Sequence, residues 1–108
     1  MDAEYAVVFT AAAEKDLNGT LQYLSGSLEN PGAAAGFILR IEKITETLSL
    51  FPLSGSPVEN PYVRRSGIRK MPVENYVLYY LPEEERRTVV ILRIVYGHRD
   101  RTAIEAQM

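Results

Sequence analysis

The nine residues Thr88–Tyr96, TVVILRIVY, constrain this chain more than any other stretch. They are dense in β-branched and aliphatic side chains, the types that suit a pleated strand. Strict alternation would place Val90, Leu92, Ile94 and Tyr96 on one face and Val89, Ile91, Arg93 and Val95 on the other. Both faces are apolar apart from Arg93, so the strand belongs in the middle of a sheet with something packed on each side. The rest of the chain has to supply those two covers and the neighbouring strands.

The neighbours are legible on either side. Tyr76–Leu81, YVLYYL, is a second strand, joined to the first by the charged run Pro82–Arg87, which suits a hairpin loop. Gly67–Val73 is a third extended segment, and Pro72 makes it short or confines it to an edge. Residues 52–66, rich in Pro, Ser, Gly and Asn, form a loop. Near the N-terminus, Tyr5–Phe9 is a short β-branched and aromatic strand followed by Thr10, a good helix N-cap.

Two helices follow that first strand. From Ala11 to about Ser25, the residues Ala13, Leu17, Leu21 and Leu24 recur at helical spacing and draw one apolar stripe. Gly19 interrupts the good helix formers, at about 1 kcal/mol relative to alanine, and suggests close approach to a neighbour. Asn30-Pro31 is a specific start signal, a cap followed by proline at the first helical position. The second helix runs to about Leu50 with Phe37, Ile41, Ile44, Leu48 and Phe51 as its stripe, and Pro52 stops it. So short a connection folds the pair back as an antiparallel hairpin, whose stripe covers one face of the sheet. Arg101–Met108 reads as a short, frayed terminal helix. The expected fold is therefore α+β, in the order strand, helix, helix, strand, strand, strand, as a single domain over 1–108.

Composition narrows the chemistry. With no cysteine and one histidine, disulfides and thiolate metal sites are excluded, and no carboxylates are spaced to complete a zinc or iron site, so neither metal nor cofactor is expected. No apolar run approaches the roughly 18 residues that span a bilayer, and MDAEYAVVF is acidic where a signal peptide is basic, so a cytoplasmic protein without membrane association is expected. Residues 1–60 hold three basic against eight acidic side chains, and residues 61–108 hold nine against six. That modest basic half falls short of a nucleic-acid footprint, so sequence-specific DNA binding by this chain alone is not expected.

Taken together and in order, YAVVFTAAAEKDLNGTLQYL, AAAGFILRIEKITETLSLFPLSG and GIRKMPVENYVLYYLPEEERRTVVILRIVYGHRD resemble the opening strand and helix, the second helix and the last three strands of the RelE/ParE toxin superfamily of bacterial toxin–antitoxin systems, from Tyr5 to about Asp100. The resemblance implies a toxin neutralised by a cognate antitoxin, ParD-like for the ParE branch. The branches differ in target: RelE-like members cut mRNA in the ribosome, and ParE-like members poison DNA gyrase. RelE carries an arginine after the tyrosine that opens its penultimate strand, where this chain has Val77 after Tyr76, and a late tyrosine that RTAIEAQM lacks. The turn YGHRD and the "IR" before the penultimate strand are more similar to ParE.

The resemblance therefore favours a gyrase inhibitor over an enzyme. Its alternatives are a ribosome-dependent mRNA interferase, with Arg69, His98 and Arg99 as catalytic candidates, and a non-toxic protein that only binds its antitoxin. For binding the target or the antitoxin, the candidates are Arg69, Arg93, His98 and Arg99. Each has a plainer reading. Arg69 is a solvated strand charge, and Arg93 pairs with Glu74 or Asp100. His98 is a surface residue at a strand end, and Arg99 and Asp100 are a structural pair locking the last turn. Arg64 and Arg65 read as solvated, and Tyr76, Tyr79 and Tyr80 as packing residues.

Overall fold

The computed structural model describes residues 4–108. Strand β1 (Ala6–Phe9) leads into helix α1 (Ala11–Gln22), which ends in a π-helical turn at Tyr23–Ser27. Helix α2 spans Pro31–Leu50. Strands β2 (Ser56–Pro57), β3 (Arg69–Val73), β4 (Tyr76–Glu83) and β5 (Thr88–Tyr96) follow, then helix α3 (Arg101–Ala106). The caps act as expected: Thr10 Oγ1 accepts from Ala13 N–H at 3.0 Å, and Asn30 Oδ1 accepts from Ala33 N–H at 3.0 Å. The α+β order expected from the sequence is the order observed, with the two-residue β2 added inside the 52–66 loop.

The sheet order is β1-β5-β4-β3-β2, so β5 is central. It runs parallel to β1 and antiparallel to β4. Pro72 sits on β3 beyond the two residues that β2 pairs, Arg69 and Lys70, where its missing N–H leaves no ladder bond unmade. Strand β4 runs two residues further than its apolar pattern, to Glu83, so the hairpin turn is shorter than the charged run.

Both faces of the sheet are covered. On one, Ala13, Phe37, Ile41 and Leu48 of the helical hairpin pack on Leu78, Tyr80, Val89, Ile91 and Ile94. On the other, Ile68, Val77, Tyr79, Leu92 and Val95 are covered by Val58, Val63, Ile104 and Met108. The second cover is thus the chain's own loop and C-terminal helix, which is docked rather than frayed. Tyr79 Oη donates to Glu105 Oε2 at 2.6 Å, Asn60 Nδ2 donates to Glu105 Oε1 at 3.0 Å, and Arg65 Nε donates to Met108 O at 3.1 Å. Arg65 is a clasp on the C-terminus rather than a solvated charge.

Strict alternation along β5 fails at one place. Tyr80 pairs with Ile91 and Tyr79 with Arg93, so Leu92 is an extra residue, a β-bulge. Before it, Val89 and Ile91 face the helices; after it, Ile94 does, and Leu92 and Val95 belong to the opposite face. An inserted residue shifts the phase of everything beyond it, and a strand apolar on both faces conceals the shift.

The Tyr79–Glu105 bond carries a pH prediction. Burial first, then the hydrogen bond to Glu105 and its charge, hold the Tyr79 hydroxyl above its ordinary value of 10.0. A folded-state pKa above the unfolded one means the folded state prefers the neutral phenol. The associated stability is fully present below about pH 10 and is lost as pH rises from there through the folded value. Tyr79→Phe is expected to cost about 1–2 kcal/mol at neutral pH by stranding part of the buried Glu105 carboxylate, and to flatten the alkaline fall in a urea-unfolding series. An unchanged alkaline limb would dismiss Tyr79 as its source.

Candidate functional groove

Helix α1 crosses the second half of β5, and one carboxylate organises that crossing. Asp16 Oδ2 accepts from Arg93 Nε at 2.7 Å and from Ile94 N–H at 2.9 Å, and Asp16 Oδ1 accepts from Arg93 Nη2 at 3.1 Å. The Arg93 guanidinium is held above its ordinary pKa by this hydrogen bonding, so it stays charged at any relevant pH. The neighbouring Thr10 hydroxyl donates to Leu92 O at 3.0 Å. Two backbone groups that β1 no longer pairs once it ends at Phe9, Leu92 O and Ile94 N–H, are therefore met by side chains of the α1 cap and second turn.

Beside this pair lies a groove of about 560 Å³ between α1 and the end of β5. Its walls include Lys15, Asp16, Gly19 and Tyr23 from α1 and Arg93, Tyr96 and Arg99 from β5 and the turn after it. It adjoins a second hollow of about 460 Å³, lined by Tyr23, Leu24, Leu28, Asn75, Tyr76 and Tyr96. The floor is an aromatic ladder rising out of the core: Phe37 to Tyr76 at 5.2 Å, Tyr76 to Tyr96 at 5.5 Å, and Tyr96 to His98 at 5.1 Å between ring centroids. The first two contacts have the edge-to-face geometry that aromatic pairs favour.

The structure brings together two of the four residues singled out from the sequence. Arg93 and Arg99 line the same groove. His98 stands at its rim, exposed, against Tyr96. Arg69 lies elsewhere, on β3, with Nε donating to Gly55 O at 3.0 Å and Nη2 to Leu53 O at 3.2 Å. The expected ion partners also change. Arg93 pairs with Asp16, not Glu74 or Asp100, and Glu74 lies 3.6 Å from Arg40 on the surface. Asp100 caps α3, accepting from Thr102 N–H at 3.2 Å, and among the described residues it forms no ion pair with Arg99.

Lys15, Asp16, Gly19 and Tyr23 join the site only in the folded chain. The available signal was Asp16 itself, a carboxylate on the same helical face as Ala13 and Thr20, which are both buried. Chemically, the groove offers cations and aromatic surface. His98 stands against the Tyr96 ring, and the Tyr79 hydroxyl lies among the residues of the opposite face. Among the described residues, no group of three or more His, Cys, Asp or Glu could hold a metal ion, and no helix is long and apolar enough to cross a membrane.

Comparison with known proteins gives a consistent result. The family described as the ParE toxin of the type II toxin–antitoxin system parDE matches residues 7–101. The toxin–antitoxin complex RelBE2 from Mycobacterium tuberculosis is similar, at 28% identity and TM-score 0.63, over 89% of this chain and 94% of that one. Two others share the fold at lower identity. The chromosomal ParDE system of Pseudomonas aeruginosa is 18% identical, TM-score 0.66, over 88% of this chain and 98% of that one. The isolated RelE toxin of Escherichia coli is 17% identical, TM-score 0.52, over 95% of each. A search of curated proteins found no match. With the family match covering most of the chain, from β1 to the start of α3, this protein belongs to the ParE toxin family of type II toxin–antitoxin systems.

Proposed function

We propose that this toxin acts by binding DNA gyrase and stalling it, that it does so in the cytoplasm as a single domain, and that a cognate ParD-like antitoxin holds it neutral. The observation that carries the gyrase reading over RNA cleavage is the state of the candidate catalytic groups. Cleavage of an RNA phosphodiester needs cations at the scissile phosphate and groups to take and return a proton. Here Arg69 is spent on two backbone carbonyls and Arg93 on Asp16. Val77 is a buried core side chain, at the place where the resemblance would put a nuclease arginine. Of the four candidates, only Arg99 and His98 are exposed, and among the described residues neither forms an ion pair. The complexes named for two of the similar structures, RelBE2 and ParDE, support an antitoxin as partner.

The test pairs His98→Gln with two assays. Purified protein is expected to inhibit gyrase supercoiling and leave ribosome-bound mRNA uncut, and His98→Gln is expected to leave growth arrest nearly intact, because an exposed polar side chain at a strand end contributes little binding energy. Ribosome-dependent cleavage that falls about a hundredfold or more in His98→Gln would make this an interferase instead.

A further inference from the structure

The two edges of the sheet are finished differently. The far edge is blunted twice, by Pro57 on the two-residue β2 and by Pro72 on the part of β3 that β2 leaves unpaired. Strand β1, at the other end of the order, has no charge, no proline and no bulge in its Ala-Val-Val-Phe. Its pairing with β5 decides which of its groups are open. Ala6 N–H donates to Arg87 O and Thr10 N–H to Ile91 O, so alternate residues of this parallel ladder face β5, and the N–H and C=O of Val7 and Phe9 face outward. That open stretch is bounded at both ends. Tyr5 N–H donates to Ser49 O at 2.9 Å and Tyr5 O accepts from Ser49 Oγ at 2.8 Å, which closes the edge at its start. At Ala11 the chain turns into α1. Between the two open residues, Val8 is 46% exposed. On the helix side of the edge lie two hollows, one of about 460 Å³ beside Val7 and Leu50 and one of about 410 Å³ beside Phe9 and Leu17. Leu50 is more than half exposed.

We propose that this edge pairs with itself: two copies of the chain join β1 to β1, antiparallel, about a twofold axis at Val8. Val7 then exchanges both main-chain hydrogen bonds with Phe9 of the second copy, and Phe9 with the second copy's Val7, so every outward group is used and none is left over. A twofold contact needs a patch complementary to itself. Three residues with open groups on the first and third are such a patch. A longer foreign strand gains nothing from its length, because Ser49 and the turn into α1 stop the ladder after two bonded residues, whereas a second copy ends at the same places. On the outer face the two half-exposed Val8 side chains meet at the axis. On the helix face, where Val7 and Phe9 pack, the Phe9 ring of each copy lies beside Val7 and Leu50 of the other. The two five-stranded sheets become one continuous sheet. The strip is short beside what a permanent dimer buries, so the association is weak and concentration-dependent, with a roughly micromolar dissociation constant. This pairing depends neither on the toxin's target nor on its antitoxin.

The test is analytical ultracentrifugation of the full-length chain across a concentration series, joined to a crosslink that reads the register. Val8→Lys sets two ammonium groups face to face at the axis and is expected to raise the dissociation constant about tenfold or more. Ser56→Lys, on the blunted edge, is expected to stay within about twofold of wild type. Glu46 beside one hollow and Glu14 beside the other meet across the axis, so association is expected to tighten as salt is raised. The chain has no cysteine, so a single introduced thiol is unambiguous. In a non-hydrogen-bonded antiparallel pair the Cα atoms stand about 4.5 Å apart, within reach of a disulfide. Val8→Cys is therefore expected to form a disulfide-linked dimer with oxidised glutathione. Ala6→Cys is not, because two copies of that position lie four residue steps apart, about 14 Å. Hydrogen exchange at the Val7 and Phe9 amides is expected to slow as concentration rises. A chain that stays monomeric to about 1 mM, far above the affinity expected for the pair, overturns the proposal. So does a dimer that Val8→Lys leaves unchanged, or one that Ala6→Cys links as readily as Val8→Cys. If Val7 and Phe9 are protected only when the polypeptide of the adjacent reading frame is added, the edge belongs to that partner and the self-pairing is wrong.

Discussion

Asp16→Ala is expected to destabilise the protein by about 2–4 kcal/mol, measured as a fall in the urea midpoint at constant slope. The change removes three hydrogen bonds at once and strands two groups. Arg93 keeps its charge but loses a two-pronged partner, with only a quarter of its side chain reaching solvent. Ile94 N–H loses its acceptor on an edge where no strand replaces it. Breaking a fully buried pair costs about 3–5 kcal/mol, and partial exposure of both side chains places this one lower. The mechanism is separable by a second substitution. Arg93→Met in the Asp16→Ala background removes the stranded charge and keeps much of the side-chain volume, so the double variant is expected to recover about 1–3 kcal/mol relative to the sum of the single changes. Additive losses would mean that the two side chains act independently, and the pair would then not be what pins α1 to β5.

That pair also shows where sequence reasoning stopped. The placement of β5 inside the sheet followed from the sequence, because its nine residues are apolar on both faces apart from Arg93. Asn30-Pro31 fixed the start of α2, and Pro52 fixed its end, because proline's geometry leaves few alternatives. The sequence offers Glu74 and Asp100, close by in the chain or across the strands, as partners for Arg93. Asp16 lies 77 residues away. Only the parallel pairing of β1 with β5, which lays the start of α1 across the end of β5, makes them neighbours, and nothing in a local window encodes that pairing. The bulge at Leu92 escaped for a different reason: Val, Ile and Leu on both faces read the same in either phase.

The candidate site was half legible for a related cause. Residues after β5 stand out as charge following an apolar run, so Arg99 and His98 were visible. The α1 wall is ordinary amphipathic helix in sequence, and only its placement opposite an unpaired strand edge makes Lys15 and Gly19 interesting. The C-terminal helix was underestimated because six residues cannot hold a helix alone in water. Its order comes from Tyr79 on β4 and from Asn60 and Arg65 on the loop between β2 and β3, all distant in sequence from the helix.

Gly55→Ala is the second substitution expected to be severe, at about 2–4 kcal/mol, from an overpacking term of about 1–3 and disturbance of hydrogen bonds worth about 1 each. A Cβ at Gly55 would lie 2.5 Å from Lys70 O and 2.7 Å from Tyr80 Oη. The backbone here is held from both sides, Gly55 N–H donating to Tyr80 Oη at 2.8 Å and Gly55 O accepting from Arg69 Nε. The β2–β3 pairing begins one residue later, at Ser56, so a displaced Gly55 also disturbs Lys70 on the opposite strand. Tyr80→Phe removes the hydroxyl contact but keeps ring carbon Cε1, 2.9 Å from the new Cβ, and leaves the backbone contact untouched. Gly55→Ala/Tyr80→Phe is therefore expected to remain at least as unstable as Gly55→Ala, and a rescued double variant would show that the hydroxyl, not the Lys70 carbonyl, sets the limit. The same loop decides what Arg69 is for. As the clamp on Leu53 and Gly55, Arg69→Ala is expected to lose stability and growth arrest together, with arrest restored when the antitoxin-free protein is assayed at a lower temperature where it is folded. Full stability with arrest abolished would instead make Arg69 a residue that touches the target.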